Sequence, residues 1–157
     1  MSNFFDNFKA FLTDDFYKQV EEAEKLNEEF YNKKVSDGIY RIEIMDMVVK
    51  QSKRGNWMIQ VGYKILNGKY ENSVLWSFFV IRQSNILVNN AFLKSLGTPI
   101  PIECTSITQY QKLVDDIFIT IRGDKEYDAE LTTSINGFTS IKIIKSYDIE
   151  KEELPFV

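Results

Sequence analysis

The chain has 157 residues, 44% of them hydrophobic and 14% aromatic, a net charge of −4, one cysteine and no histidine. That size and apolar content suit one domain with a single core and exclude a disordered chain. The lack of histidine removes an imidazole base, a Ser-His-Asp arrangement and imidazole metal ligands, and Cys104 alone makes neither an internal disulfide nor a thiolate zinc cluster.

What remains open is carboxylate–magnesium chemistry, or binding without chemistry; no cofactor is implied. No apolar run approaches the roughly 18 residues of a membrane helix, and no basic n-region precedes an apolar stretch. A cytoplasmic protein without a membrane partner is therefore expected. Charge is unevenly spread: residues 1–37 hold five Lys against nine Asp/Glu, residues 38–147 thirteen Lys/Arg against ten Asp/Glu, and residues 148–157 one Lys against four Asp/Glu. An acidic head and an acidic tail flank a mildly basic middle that can take an anionic ligand.

Residues 1–35 place Phe4, Phe8, Phe11 and Leu12, then Phe16, Val20, Ala23 and Phe30, at near-helical spacing, with Ser2 and Thr13 as N-caps. This predicts an amphipathic helical extension, packed on the domain or on a second subunit. From Ser36-Asp37-Gly38 the period becomes two. Tyr40, Ile42 and Ile44 alternate with Arg41, Glu43 and Met45, and Trp57, Ile59, Val61, Tyr63 and Ile65 alternate with Met58, Gln60, Gly62 and Lys64. After the turn signal Asn67-Gly68 comes the strand-like run YENSVLWSFFVIR.

SNILVNNAFLKSLG reads as a helix capped by Ser84 and closed by Gly97, and TPIPIECTS as an extended connector. ITQYQKLVDD is expected to be a short helix ending in a turn at Asp115-Asp116, and IFITIR a strand. YDAELTTS reads as a further strand or its continuation, Asn136-Gly137 as a hairpin turn, and FTSIKIIKSY as the last strand. Five strands with one helix between the third and fourth, over residues 36–147, is the element order of the OB-fold, a five-stranded Greek-key barrel that often holds oligonucleotides. Another small barrel or an α+β sandwich gives the same string. Residues 148–157 are left as an acidic, disordered tail.

In an OB-fold the loop after the first strand and the faces of the second and third strands form the nucleic-acid groove. Here that loop carries Lys50, Lys53 and Arg54, and Lys64 and Arg82 extend the cationic track, with Lys69, Arg122 and Lys125 further along. The aromatics able to stack on bases are Trp57, Tyr63, Tyr70, Trp76 and Phe78. Alternation leaves each of them either core or ligand contact. Asp124, Glu126, Asp128 and Glu130 share one face of a predicted strand. They read either as a solvated edge that discourages strand pairing or as a magnesium site for nuclease chemistry.

Four pieces of the middle segment recur together: Asp37-Gly38-Ile39-Tyr40, Ser52-Lys53-Arg54-Gly55-Asn56-Trp57-Met58, Ile65-Leu66-Asn67-Gly68-Lys69-Tyr70 and Phe92-Leu93-Lys94-Ser95-Leu96. In order and spacing they resemble a family of bacteriophage OB-fold single-stranded DNA-binding proteins, over residues 35–97. The resemblance implies a role in phage replication or recombination, with Lys53 and Arg54 at the DNA groove. Trp57 departs from the pattern, where proline is commoner, so no stacking role passes to it by that route.

The ending EKEELPFV is similar to the acidic tip of bacterial single-stranded DNA-binding proteins, which recruits replication and repair enzymes. Phe156 would fill a pocket, Glu150, Glu152 and Glu153 would meet a basic rim, and Pro155, after the apolar Leu154, would hold the segment extended. Lys151 and Val157 depart from that tip. The expectation is thus a non-enzymatic protein that binds single-stranded DNA with little sequence preference and recruits host or phage replication and recombination proteins through its tail. The competing readings are a protein–protein module dimerising through the N-terminal helix, and a magnesium-dependent nuclease using Asp124, Glu126 or Asp128.

Overall fold

The period-two segments become five strands: β1 (Gly38–Gln51), β2 (Trp57–Ile65), β3 (Val74–Val80), β4 (Lys125–Thr133) and β5 (Thr139–Asp148). Two helices, α1 (Ile86–Ser95) and α2 (Ile107–Ile121), lie between β3 and β4. The computed structural model describes residues 35–149. The predicted helical extension up to residue 34, and the tail from residue 150 onward, lie outside them. All pairings are antiparallel, and the strand order is β3-β2-β1-β4-β5. Among the described residues this is an open sheet with β3 and β5 at its edges, rather than the closed barrel that the element order suggested.

β1 runs through the centre and serves both halves. Its first residues, Gly38 to Ile42, pair with β4, and Ile42 to Gln51 pair with β2, so Ile42 faces Tyr127 on one side and Ile65 on the other. Ile44 pairs with Tyr63 and Asp46 with Gly62, which leaves Met45 as the extra residue of a β-bulge. The bulge shifts the side-chain phase by one. Ile42 and Ile44 before it, and Met47 and Val49 after it, all enter the core, while Met45 is exposed.

Opposite them Ile59, Val61, Tyr63 and Ile65 of β2, Leu75 of β3, Tyr127, Ala129 and Leu131 of β4, and Ile141 and Ile143 of β5 complete the sheet's inner layer. The helices contribute Phe92, Leu93, Leu96, Tyr110, Leu113, Val114, Ile117 and Ile121.

α2 is where the structure departs furthest from expectation. ITQYQKLVDD and IFITIR are one 15-residue helix rather than a short helix and a strand. Asp115 and Asp116 lie inside it, and Lys112 reaches Asp116 one turn on at 2.7 Å. The Ile-rich end suggested a strand, but Tyr110, Leu113, Val114, Ile117 and Ile121 recur at helical spacing and all are buried. Burial of that stripe outweighs the modest β-propensity of isoleucine. Ile119, out of phase with the stripe, remains exposed. Ser106 caps the first turn by accepting from Gln109 N–H.

α1 matches its expectation, except that Ser84 lies in a short 3-10 turn, Gln83–Asn85, and makes no cap. Gly97 closes α1 in the left-handed region at φ 74°. Asn67-Gly68 and Asn136-Gly137 both sit in hairpin connections, although the first spans residues 66–73 rather than a tight two-residue turn.

Buried phenols tie the layers together. Tyr127 donates from its hydroxyl to the Leu96 carbonyl at 2.8 Å, joining β4 to the end of α1, and Tyr110 on α2 donates to Asn90 Oδ1 on α1 at 2.9 Å. Burial pushes both phenols well above the usual tyrosine range. They stay neutral in the folded chain and ionise near pH ~10 when unfolded. Their contribution to stability is complete below that pH and is lost as pH rises past it. Tyr127→Phe, which leaves the Leu96 carbonyl without its donor, is expected to cost about 1–3 kcal/mol at neutral pH. Its loss of stability between about pH 9 and 11 should be shallower than in the wild type, because one buried phenol no longer titrates. Urea unfolding at both pH values measures this, and an equal alkaline loss in both proteins would contradict it.

Candidate nucleic-acid interface

The bulge at Met45 places Asp46, Val48 and Lys50 on the outer face of the sheet, in line with Met58, Gln60, Gly62 and Lys64 of β2. Register then sets Trp76 of β3 beside Gly62, and Phe78 beside Gln60, on that same face. Leu75, Ser77 and Phe79 take the inner face, where the Phe79 ring stacks on Phe92 at 4.6 Å between centroids. The alternation that sequence left open is thereby decided. Trp76 and Phe78 are outward and partly exposed.

The β1–β2 loop closes one end of this surface. Ser52 N–H donates to the Asn56 carbonyl at 2.7 Å, Gly55 N–H to the Ser52 carbonyl at 2.9 Å, and Gln51 Nε2 to the Gly55 carbonyl at 2.9 Å. Gly55 adopts φ 86°, a conformation that glycine takes without strain. Lys53 and Arg54 project from this cross-bonded turn and are exposed, as is Lys50 at its root. Arg82 follows β3 at the same end, because Ile81 N–H bonds to the Trp57 carbonyl at 2.9 Å. Seven of the expected cations and aromatics, Lys50, Lys53, Arg54, Lys64, Trp76, Phe78 and Arg82, thus lie on one face or its rim.

Three expected stackers are elsewhere. Tyr63 is fully buried on the inner face, edge-on to Phe92, because its strand phase is that of Ile59 and Val61. It cannot stack on a base. Trp57 shares that phase and packs partly buried against the core. Tyr70 lies in the β2–β3 connection at the opposite end of the sheet from Lys53. There it meets the Tyr40 ring edge-to-face, and its hydroxyl lies 2.8 Å from Ser36 Oγ. The hydrogen bond to Ser36 lowers the Tyr70 pKa, with the charge of Lys69 adding to it. Of the further cations, Lys125 is engaged with Asp148 at 2.6 Å and Arg122 ends α2 beside Phe118.

The surface also carries acids. Lys64 Nζ lies 4.0 Å from Glu43, a half-exposed pair of little energetic weight, and Gln60 Nε2 donates to Asp46 at 2.8 Å. Glu126, Asp128 and Glu130 form the outward row on β4, whereas Asp124 is in the preceding turn. Arg41 lies across that row. Its Nε donates to Glu126 at 3.0 Å, its Nη1 is 3.9 Å from Asp128, and its guanidinium sits 3.5 Å from the Tyr147 ring centroid. Tyr147 donates to Asp128 at 2.6 Å, and that bond raises the phenol's pKa. A cation is thus already supplied by the chain, and the row joins β1, β4 and β5 rather than gathering around a metal position. Among the described residues no three carboxylate or thiol groups gather to hold a metal ion, and no helix is long and apolar enough to cross a membrane.

Residue type and spacing did not single out one contributor, Gly62. A Cβ placed on it would come within 3.0 Å of Trp76 Cζ3, 3.2 Å of Cη2 and 3.4 Å of Asp46 Cβ. The indole therefore rests on bare backbone. A glycine inside a strand pattern is the sequence signal for such close approach.

Fold and surface together define an open antiparallel sheet, backed by two helices, with an outer face that mixes aromatic and cationic side chains. The family described as "Protein of unknown function (DUF669)" matches residues 18–148, and the chain belongs to it. No curated protein matches the chain.

Gly62→Ala is expected to displace the indole by a few tenths of an ångström and shift its emission. Overpacking and relief of glycine's backbone entropy nearly cancel, so stability should change by no more than about 1 kcal/mol. Fluorescence in a Trp57→Phe background, where Trp76 is the remaining tryptophan, reads this directly. An unchanged emission would show that the ring does not depend on Gly62.

Proposed function

We propose that the chain is a non-enzymatic single-stranded DNA-binding protein, taking the strand across the outer face of β1, β2 and β3. The observation that carries this reading is the register-aligned placement of Trp76 and Phe78 on the outer face whose one end carries the Lys50–Arg54 rim. Aromatic faces stack on any base at about 1–3 kcal/mol each, and rim cations contact phosphates. Binding built this way has little sequence preference. A central β1 shared between β2 and β4, bulged midway and followed by β3 and then helix, also supports an OB-like arrangement of the domain.

The resemblance over residues 35–97 supports a place in phage replication or recombination, in the cytoplasm of an infected bacterium. By the same reading the tail recruits partner proteins through Glu150, Glu152, Glu153, Leu154, Pro155 and Phe156, which lie outside the described residues.

Titration with fluorescent oligo-dT at two salt concentrations, against a duplex of equal length, tests the proposal. Salt-sensitive preference for the single strand is expected, and absence of binding even at low salt overturns it. Trp76→Ala should weaken binding by about 1–3 kcal/mol. Lys53→Ala with Arg54→Ala should flatten the dependence of log affinity on log salt by about 0.7 for each phosphate that is no longer neutralised.

A further inference from the structure

Asn56 stands at the root of the β1–β2 loop with its backbone fully engaged: its N–H donates to Ser52 Oγ at 3.2 Å and its carbonyl accepts from Ser52 N–H. Its side chain is not so engaged. The residue is 1% exposed, and neither Oδ1 nor Nδ2 has a hydrogen-bond partner among the described residues. Buried amides are almost always paired, and leaving one unpaired destabilises the conformation that holds it. This orphan donor and acceptor lie between Lys53 and Arg54, on the loop tip, and Trp57 at the start of β2.

The chemistry of the missing partner is constrained. A phosphate oxygen satisfies the amide nitrogen but offers no proton to Oδ1. A nucleobase edge places a donor next to an acceptor and satisfies both atoms at once. We infer that Asn56 is a base-contacting residue, held back at the root of the loop in the free protein and hydrogen-bonded to a base edge once a strand engages Lys53 and Arg54. The neighbouring Gly55, already at positive φ, lets the loop shift without a steric penalty from a side chain of its own. The inference rests on the single-strand reading above and adds to it a hydrogen bond to the base, beyond stacking and phosphate contact.

The test compares wild type, Asn56→Leu and Asn56→Ala on oligo-dT and on an abasic strand of equal length, with thermal unfolding alongside. Asn56→Leu keeps the shape while removing the orphan groups, so its thermal midpoint should equal or exceed the wild type's. Its affinity for oligo-dT should fall about tenfold, the worth of one good hydrogen-bonded base, while its affinity for the abasic strand changes by less than about twofold. Asn56→Ala carries the same comparison if the leucine variant misfolds. Unchanged affinity for oligo-dT, or an equal loss on both strands, overturns the inference and leaves single-strand binding intact. A wild type that binds neither strand overturns the single-strand reading itself, and this inference with it.

Discussion

The double pairing of β1 is the constraint on which the rest of the molecule depends. Ile42 is where the two halves of the sheet meet, facing Ile65 on β2 and Tyr127 on β4. A straight strand with that many partners would send Asp46, Val48 and Lys50 into the core. The bulge at Met45 prevents this by moving every later side chain to the other face. Core and outer surface are therefore set together: the one-residue shift that buries Met47 and Val49 also lays out the row Asp46, Val48 and Lys50.

Polar contacts then hold the ends of this arrangement in place. Asp37 accepts from Thr133 N–H at 2.9 Å and from Thr133 Oγ1 at 2.6 Å, fastening the start of β1 to the end of β4. Arg41, Tyr147, Glu126 and Asp128 link β1, β4 and β5 across the outer face. The two regions of that face have different chemistry. Over β4 and β5 charges are matched to one another and leave little to attract a ligand. Over β1 to β3 the partly exposed Trp76 and Phe78 lie on the face with cations at the rim, while Asp46 accepts from Gln60 and Glu43 lies 4.0 Å from Lys64.

Tyrosines show how residue type alone misleads about role. Tyr63, Tyr110 and Tyr127 are among the largest fully buried side chains; the Tyr127 hydroxyl links β4 to the end of α1, and the Tyr110 hydroxyl links α2 to α1. The aromatic available on the surface is decided by strand phase, not by ring chemistry. Trp57 and Trp76 make the same point, since each begins or occupies a strand of similar composition and they end on opposite faces.

Much was legible from sequence, because period-two patterning, glycine turns and helix closing signals act over a few residues. All but one of the strands expected were present, and IFITIR failed because its alternation and its helical stripe share Ile117 and Ile121, with Ile119 belonging to the alternation alone. A local pattern cannot say which of two buried faces the tertiary core will accept. Nor can it show a bulge, since Met45 differs from its neighbours only in being unpaired. Composition by itself determined that this chain has no imidazole chemistry, no internal disulfide and no thiolate zinc cluster, and spacing determined where most strands lie. Only the tertiary structure decided which aromatics face outward, that Arg41 already occupies the acidic row, and that Trp76 rests on Gly62. Each of those depends on register between strands distant in sequence, and register is chosen by the packing of the whole core.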